Sequence, residues 1–192
     1  MDRLVGVRGG GTAGPVRMRG ETHMDSKFIT PFVDSTKSVF SMMLQLPVTC
    51  AMPQRASDIP SRMTDVSGII GLSGDVTGCV VLAFPSDSAT KIVERFVGMP
   101  MDTDSEDFAD AIGELVNMVS GSAKAQFEGC DVRISVPSVV VGANHKVQTM
   151  SDAFCVRIPC ESELGGFTVE VAMKMSDAAP AKANAAGNQA SA

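Results

Sequence analysis

The sequence predicts an α+β (mixed α/β) fold, an antiparallel-rich β-sheet with helices packed on one face. Three observations predict it. Two pairs of β-rich runs are each joined by a short turn-forming segment, which marks hairpins and therefore antiparallel pairing. Three stretches carry apolar residues at helical spacing. These stretches do not alternate strictly with the strands, which favours a layer of helices on an antiparallel sheet over a doubly wound parallel one.

The elements follow in order. Pro31 suits the first turn of a helix. Phe32, Val33, Thr36, Val39, Phe40, Met43 and Leu44 then recur at helical spacing up to Pro47. Residues 46–51 form a first predicted strand. Residues 66–72 and 76–84 are β-rich and joined by Ser73-Gly74-Asp75, a hairpin. Ser86 or Asp87 can cap a helix that covers Ala89, Ile92, Val93 and Phe96 and stops at Gly98 and Pro100. The acidic stretch 102–107 leads into the longest predicted helix, 105–128, with its negative charge at the positive end of the helix dipole. Residues 132–141 are β-rich but broken by Pro137, which indicates an edge strand or a bulge. Residues 153–158 and 167–173 make a second hairpin across 161–166.

Length and composition set the frame. The chain has 192 residues and 44% hydrophobic content, which fits one globular domain. Residues 1–23 are expected to be disordered, because Gly9-Gly10-Gly11, Gly14-Pro15 and scattered arginines bury no apolar area. The folded domain is expected over 24–175, with Met24 as an alternative start of translation and 176–192 as a disordered tail. Tryptophan and tyrosine are absent, so the core rests on aliphatic residues, thirteen Met and nine Phe. The formal charge of −6 argues against nucleic acid and against an anionic membrane surface as partners. No apolar run is long enough to span a bilayer, and 4–7 is too short for a signal-peptide core, so a cytoplasmic location is expected. The five cysteines are odd in number and contain no CxxC, which suggests neither a disulfide framework nor a zinc knuckle. Cys79 and Cys155 lie in apolar runs and read as small buried hydrophobes. His23 and His145 are far apart in sequence, so no metal site and no Cys–His couple is expected.

The stretch 105–128 carries the functional signal. At about 100° per residue, Ile112, Leu115, Val116, Val119, Ala123 and Phe127 gather on one side, which should face the sheet. Asp110, Glu114, Asn117, Gly121, Lys124 and Glu128 line the opposite side. A solvated face is the bland reading of such a stripe. Three features stand against it. Asn117 is a poor mid-helix residue, and Gly121 and Gly113 each cost roughly 1 kcal/mol relative to Ala. Glycines beside a carboxylate and an amide let another backbone approach closely. The residues alone leave the solvated face and the binding face both open.

The run Asp110-Ala-Ile-Gly-Glu114-Leu-Val-Asn117 resembles the pattern Asp/Ser-x-x-x-Glu-x-x-Asn of the CheC/CheX/FliY phosphatases of bacterial chemotaxis. Its continuation through Gly121 to Lys124, and the opening Phe28-Ile-Thr-Pro31-Phe, are similar to that family too. CheC-like members carry the motif twice. Here the predicted first helix has neither Glu nor Asn, so the chain resembles the single-motif CheX branch.

The resemblance implies a cytoplasmic phosphatase that hydrolyses the phospho-aspartate of a CheY-type response regulator in chemotaxis or motility signalling. It implies Asn117 as the residue that positions the attacking water and Glu114 as the partner of the regulator's active-site lysine. Asp110, Gly113, Gly121 and Lys124 become docking positions, although Lys124 also reads as a plain solvated lysine. No cofactor of the chain's own is implied, only Mg²⁺ on the regulator, and a homodimer is expected. The alternative is a non-catalytic module that binds a response regulator or flagellar-switch component. Two further rivals are a hydrolase built on Ser120 or Cys130 with His145 and a purely structural dimerisation domain. The first lacks any surrounding nucleophile motif, and the second lacks a companion domain.

Overall fold

The computed structural model describes residues 26–59, 63–149 and 152–176; the expectations for 1–23 and for the tail beyond 176 lie outside them. A 3-10 turn, Ser26–Phe28, leads into α1 (Thr30–Leu44), with proline at its start as the sequence predicts. The helix ends at Gln45, which takes the left-handed conformation at φ 51°, before Pro47 is reached. Leu46 and Val48 drop into the core instead of pairing, so the predicted strand 46–51 shrinks to β1 (Thr49–Cys50). A second two-residue strand, β2 (Gln54–Arg55), was not anticipated.

The first hairpin, β3 (Thr64–Gly74) and β4 (Val76–Phe84), turns at Gly74 and Asp75. α2 (Ser86–Val97) follows. Its first N–H is capped from outside the helix: Asp65 Oδ2 on β3 accepts from Ser86 N–H at 2.9 Å, so neither Ser86 nor Asp87 acts as the predicted cap. Asp65 Oδ1 accepts from Asn144 N–H at 3.0 Å, and both bonds hold its carboxyl below the usual carboxylate range. Gly98 ends α2 in the left-handed region, as expected. α3 (Glu106–Lys124) starts at Ser105, whose hydroxyl accepts from Phe108 N–H at 3.2 Å.

Pro137 splits the next run in two. β5 (Val132–Ile134) and β6 (Ser138–His145) both pair antiparallel with β3, at opposite ends. β7 (Phe154–Ser162) and β8 (Gly165–Met175) form the last hairpin; β8 is longer at both ends than the sequence suggested and β7 is longer at the turn. The eight strands form one sheet in the order β1-β7-β8-β4-β3-β5, with β2 added to β7 and β6 to β3. Among the described residues every pairing is antiparallel.

The core lies between the sheet and the three helices. Val66 and Ile70 of β3, Val80 and Leu82 of β4, Ile158 of β7 and Val169 of β8 alternate inward and are almost fully buried. The aromatic part of the core is all phenylalanine. Phe40 stacks on Phe167 at 4.7 Å and Phe84 on Phe167 at 5.2 Å, while Phe127 meets Phe28 and Phe32 edge-on. On the opposite face of the sheet Arg157 and Glu170 form an ion pair at 2.8 Å, with side chains 12% and 13% exposed. Arg157 also donates to the carbonyls of Ala56 and Ile59, which ties the segment after β2 to that face.

One small residue sets the depth of α3. A Cβ on Gly68 of β3 would stand 3.1 Å from Ile112 Cγ2 and Val116 Cγ1 and 3.2 Å from the Ile112 carbonyl oxygen. The helix therefore sits closer to β3 than any larger residue allows. Gly68→Val is expected to destabilise the fold by roughly 1–3 kcal/mol through overpacking. Urea denaturation checks this; a midpoint unchanged from wild type would show that the approach is not tight.

Candidate active site on helix α3

α3 is held on three sides. Its apolar face packs on the sheet, with Ile112, Leu115, Val116 and Val119 fully buried. These four side chains contribute about 6–12 kcal/mol as an upper bound. That exceeds the roughly 2 kcal/mol of helix propensity lost at Gly113 and Gly121 together, so packing decides the conformation.

On one flank α1 supports it. Ser35 Oγ donates to Ser122 Oγ at 3.0 Å, and Gln126 Nε2 donates to Ser35 Oγ at 3.0 Å and to the Ser122 carbonyl at 3.2 Å. On the other flank lie β5 and β6, where Val139 packs against the core.

The outward stripe matches the predicted one from Asp110 to Lys124, but α3 stops there instead of at 128, so Glu128 lies beyond the helix. Asp110, Glu114, Lys124 and Glu128 are exposed, and Asn117 and Gly121 are half-buried. Among the described residues, the side chains of Asp110, Glu114 and Asn117 make no hydrogen bond or ion pair. Their donor and acceptor atoms are thus available to something outside the chain. Lys124 is the last residue of α3. A Cβ on Gly121 would have only Ile134 Cδ1 nearby, at 3.9 Å, so that part of the stripe opens on free space.

Gly113 needs a correction. It was expected to let a partner's backbone come close. It is instead buried, and a Cβ there would stand 3.3 Å from Pro137 Cγ and 3.6 Å from Val139 Cγ2. The room it leaves is taken by Pro137 and by Val139 of β6 in its own chain.

Pro137 and Val139 are the neighbours that sequence reasoning missed. Together with Ala109, Asp110, Gly113 and Glu114 they line an open cleft of about 550 Å³ between α3 and β6. Pro137 had a sequence signal, but as a strand breaker; its contact with α3 depends on the pairing of β6 with β3. Asp110 and Glu114 thus share the cleft, while Asn117, Gly121 and Lys124 continue the stripe beyond it.

The serine, cysteine and histidine of the rival hydrolase do not come together. Ser120 Oγ is buried on the underside of α3 without a hydrogen-bond partner. His145 is engaged elsewhere, with Nε2 2.8 Å from Ser67 Oγ and Nδ1 2.7 Å from the Gly142 carbonyl. A carbonyl only accepts, so in the neutral ring Nδ1 carries the proton and Nε2 accepts from Ser67. Ser67 is fully buried, which gives this couple a structural role. Among the described residues, no three of His, Cys, Asp and Glu cluster so as to hold a metal ion, and no helix is long and apolar enough to cross a membrane.

Comparison with known proteins places this geometry. Residues 66–161, which run from within β3 to near the end of β7 and include the whole of α3, match the family model of the chemotaxis phosphatase CheX. The chain is 29% identical over 131 residues to the CheY-P phosphatase CheX of Thermotoga maritima, covering 66% of this chain and 83% of that protein. The crystal structure of the chemotaxis protein CheX from Vibrio vulnificus superposes with a TM-score of 0.72 at 28% identity, over 77% of this chain and 99% of that one. A CheX–CheY–BeF₃–Mg²⁺ complex from Borrelia burgdorferi shares the fold with a TM-score of 0.65 at 21% identity, over 77% and 97% of the respective chains.

Because Glu114 and Asn117 make no side-chain hydrogen bond or ion pair among the described residues, Glu114→Ala and Asn117→Ala are each expected to keep the wild-type unfolding free energy within about 0.5 kcal/mol. Denaturant melts of both variants check this. A loss of several kcal/mol would mean that these side chains hold the fold together.

Proposed function

Because the chain belongs to the CheX family of chemotaxis phosphatases, we propose that it hydrolyses the phospho-aspartate of a CheY-type response regulator and that α3 is the surface that does so. One observation carries this reading: Glu114 and Asn117 stand one turn apart on the outer stripe of a firmly seated helix, with no hydrogen-bond or ion-pair partner among the described residues. An acyl phosphate is already reactive. What its hydrolysis needs is a water molecule held in line with the bond to be broken, and positioning of this kind requires no strong nucleophile.

In this mechanism the Asn117 amide oxygen accepts a hydrogen bond from the water and directs its oxygen at phosphorus. The new P–O bond forms as the bond to the aspartate oxygen breaks, giving inorganic phosphate and a free carboxylate. Glu114 pairs with the regulator's active-site lysine and sets the register of the helix on the partner. Asp110 adds a docking contact, Gly121 admits close approach, and Lys124 faces acidic groups of the partner. Mg²⁺ belongs to the regulator and balances the charge on the phosphoryl group. The complex from Borrelia burgdorferi, which pairs CheX with CheY, BeF₃ and Mg²⁺, supports the choice of partner. The proposed setting is the cytoplasm, where such regulators act.

We also infer a homodimer. β6 pairs only with β3 among the described residues, and it exposes Val140 and Val141, so its outer edge can add a strand from a second copy. Sedimentation at micromolar concentration should show a species of twice the chain mass. A monomer would remove the dimer from the proposal and leave the chemistry untouched.

With a phosphorylated CheY-type regulator and Mg²⁺, the wild-type protein should accelerate phosphate release, and Asn117→Ala should lower that acceleration by roughly a hundredfold or more. Equal rates would remove Asn117 from the mechanism. Tight binding with an unchanged decay of the phosphoprotein would mark the protein as a binding module and overturn the phosphatase reading.

A further inference from the structure

β1 and β7 bring two cysteines face to face. Cys50 and Cys160 are direct partners in the antiparallel pair, and their sulfurs are 3.1 Å apart although 110 residues separate them in sequence. Ala51 N–H donates to the Pro159 carbonyl at 2.8 Å, which makes residues 51 and 159 a hydrogen-bonded pair. The next pair, Cys50 and Cys160, is therefore of the non-hydrogen-bonded kind, in which Cα atoms are about 4.5 Å apart and side chains approach most closely. That spacing falls inside the range a disulfide accepts. Closing the bond requires the sulfurs to approach by about 1 Å.

We propose that Cys50 and Cys160 form a redox-active dithiol site, which closes to an intramolecular disulfide by exchange with a small disulfide such as that of glutathione. The two sulfurs have unequal roles. Cys50 is half-exposed on an end strand of the sheet, whereas Cys160 is fully buried in the core. The Cys160 thiol donates to Cys50, and Lys37 of α1 adds a positive field, so the Cys50 thiol lies below the ordinary thiol range although burial and Asp34 oppose this.

Cys50 as thiolate attacks one sulfur of the small disulfide. The S–S bond of the reagent breaks, one thiolate leaves, and a mixed disulfide forms on Cys50. Cys160 then gives its proton to the small thiolate already expelled and attacks the Cys50 sulfur, expelling the second thiolate. Two protein thiols are oxidised and one small disulfide is reduced to two thiols.

Register excludes a bond between Cys79 and Cys155. Cys79 and Cys155 both pair with Ala172, from opposite sides of β8, so two strand spacings of about 5 Å each separate them. Burial raises both of their thiols above the ordinary range. The bond at Cys50 would close a long loop and fasten β1, and through it the end of α1, to β7.

The test incubates the folded protein with glutathione disulfide, then counts thiols after an acid quench and unfolding. Loss of two of the five thiols is expected, with a mass decrease of two hydrogens, a linked Cys50–Cys160 peptide and a rise in Tm. A reducing dithiol should reverse all of these. Cys155→Ala should still lose two thiols, while Cys50→Ala, checked for an unchanged circular dichroism spectrum, should form no internal bond. Five thiols surviving in the wild type, a bond mapped to another pair, or a mixed glutathione adduct that never closes would each overturn the proposal.

Discussion

The approach of α3 to β3 at Gly68 is the contact on which the helical layer depends. With no side chain at that position, Ile112 and Val116 settle against the strand itself. The depth they reach fixes the distance at which α1 and α2 close over the remaining apolar face. α1 and the turn before it then join α3 and the residues just after it through the Ser35, Ser122 and Gln126 bonds, and through the edge-on packing of Phe127 with Phe28 and Phe32. α2 has its own tie to β3 through Asp65. A helix seated in this way presents its outer stripe from a rigid base, which a site that acts by positioning requires.

The sheet edge shapes the same region from the other side. Pro137 has no N–H to give to β3, so β5 and β6 meet that strand as separate pieces. The interruption lets Pro137 and Val139 lean on Gly113, which closes the near side of the cleft and leaves Asp110 and Glu114 along its open rim. Ser135 keeps the interruption ordered: its N–H donates to the Gly71 carbonyl at 2.9 Å, and its hydroxyl accepts from Gly71 N–H at the same distance. One proline thus breaks a strand and builds one wall of the cleft.

Features governed by local periodicity were readable from the residues. The inward face of α3 from Ile112 to Ala123 was, as were the hairpin at Gly74 and Asp75 and the end of α2 at Gly98. Each follows from spacing or backbone freedom within a few residues. Features governed by long-range pairing were not. The cap on α2 comes from Asp65, twenty-one residues before Ser86 in sequence. β1 is short because Leu46 and Val48 are claimed by the core. Gly113 read as an opening for a partner because the position of Pro137 across from it depends on the register of β6. In the site, the membership of the stripe was legible, whereas its neighbours came only from the fold.

The all-phenylalanine packing of the core has a practical side. Tyrosine and tryptophan would bring a hydroxyl or an indole N–H that each needs a partner when buried, and the ring clusters around Phe167 and Phe127 carry no such obligation. They also leave the molecule almost dark in the near ultraviolet, since neither strong chromophore is present anywhere in the chain. Any tyrosine or tryptophan signal from a mixture with a second protein therefore belongs wholly to that protein, and a change on mixing reports its surface without a background to subtract.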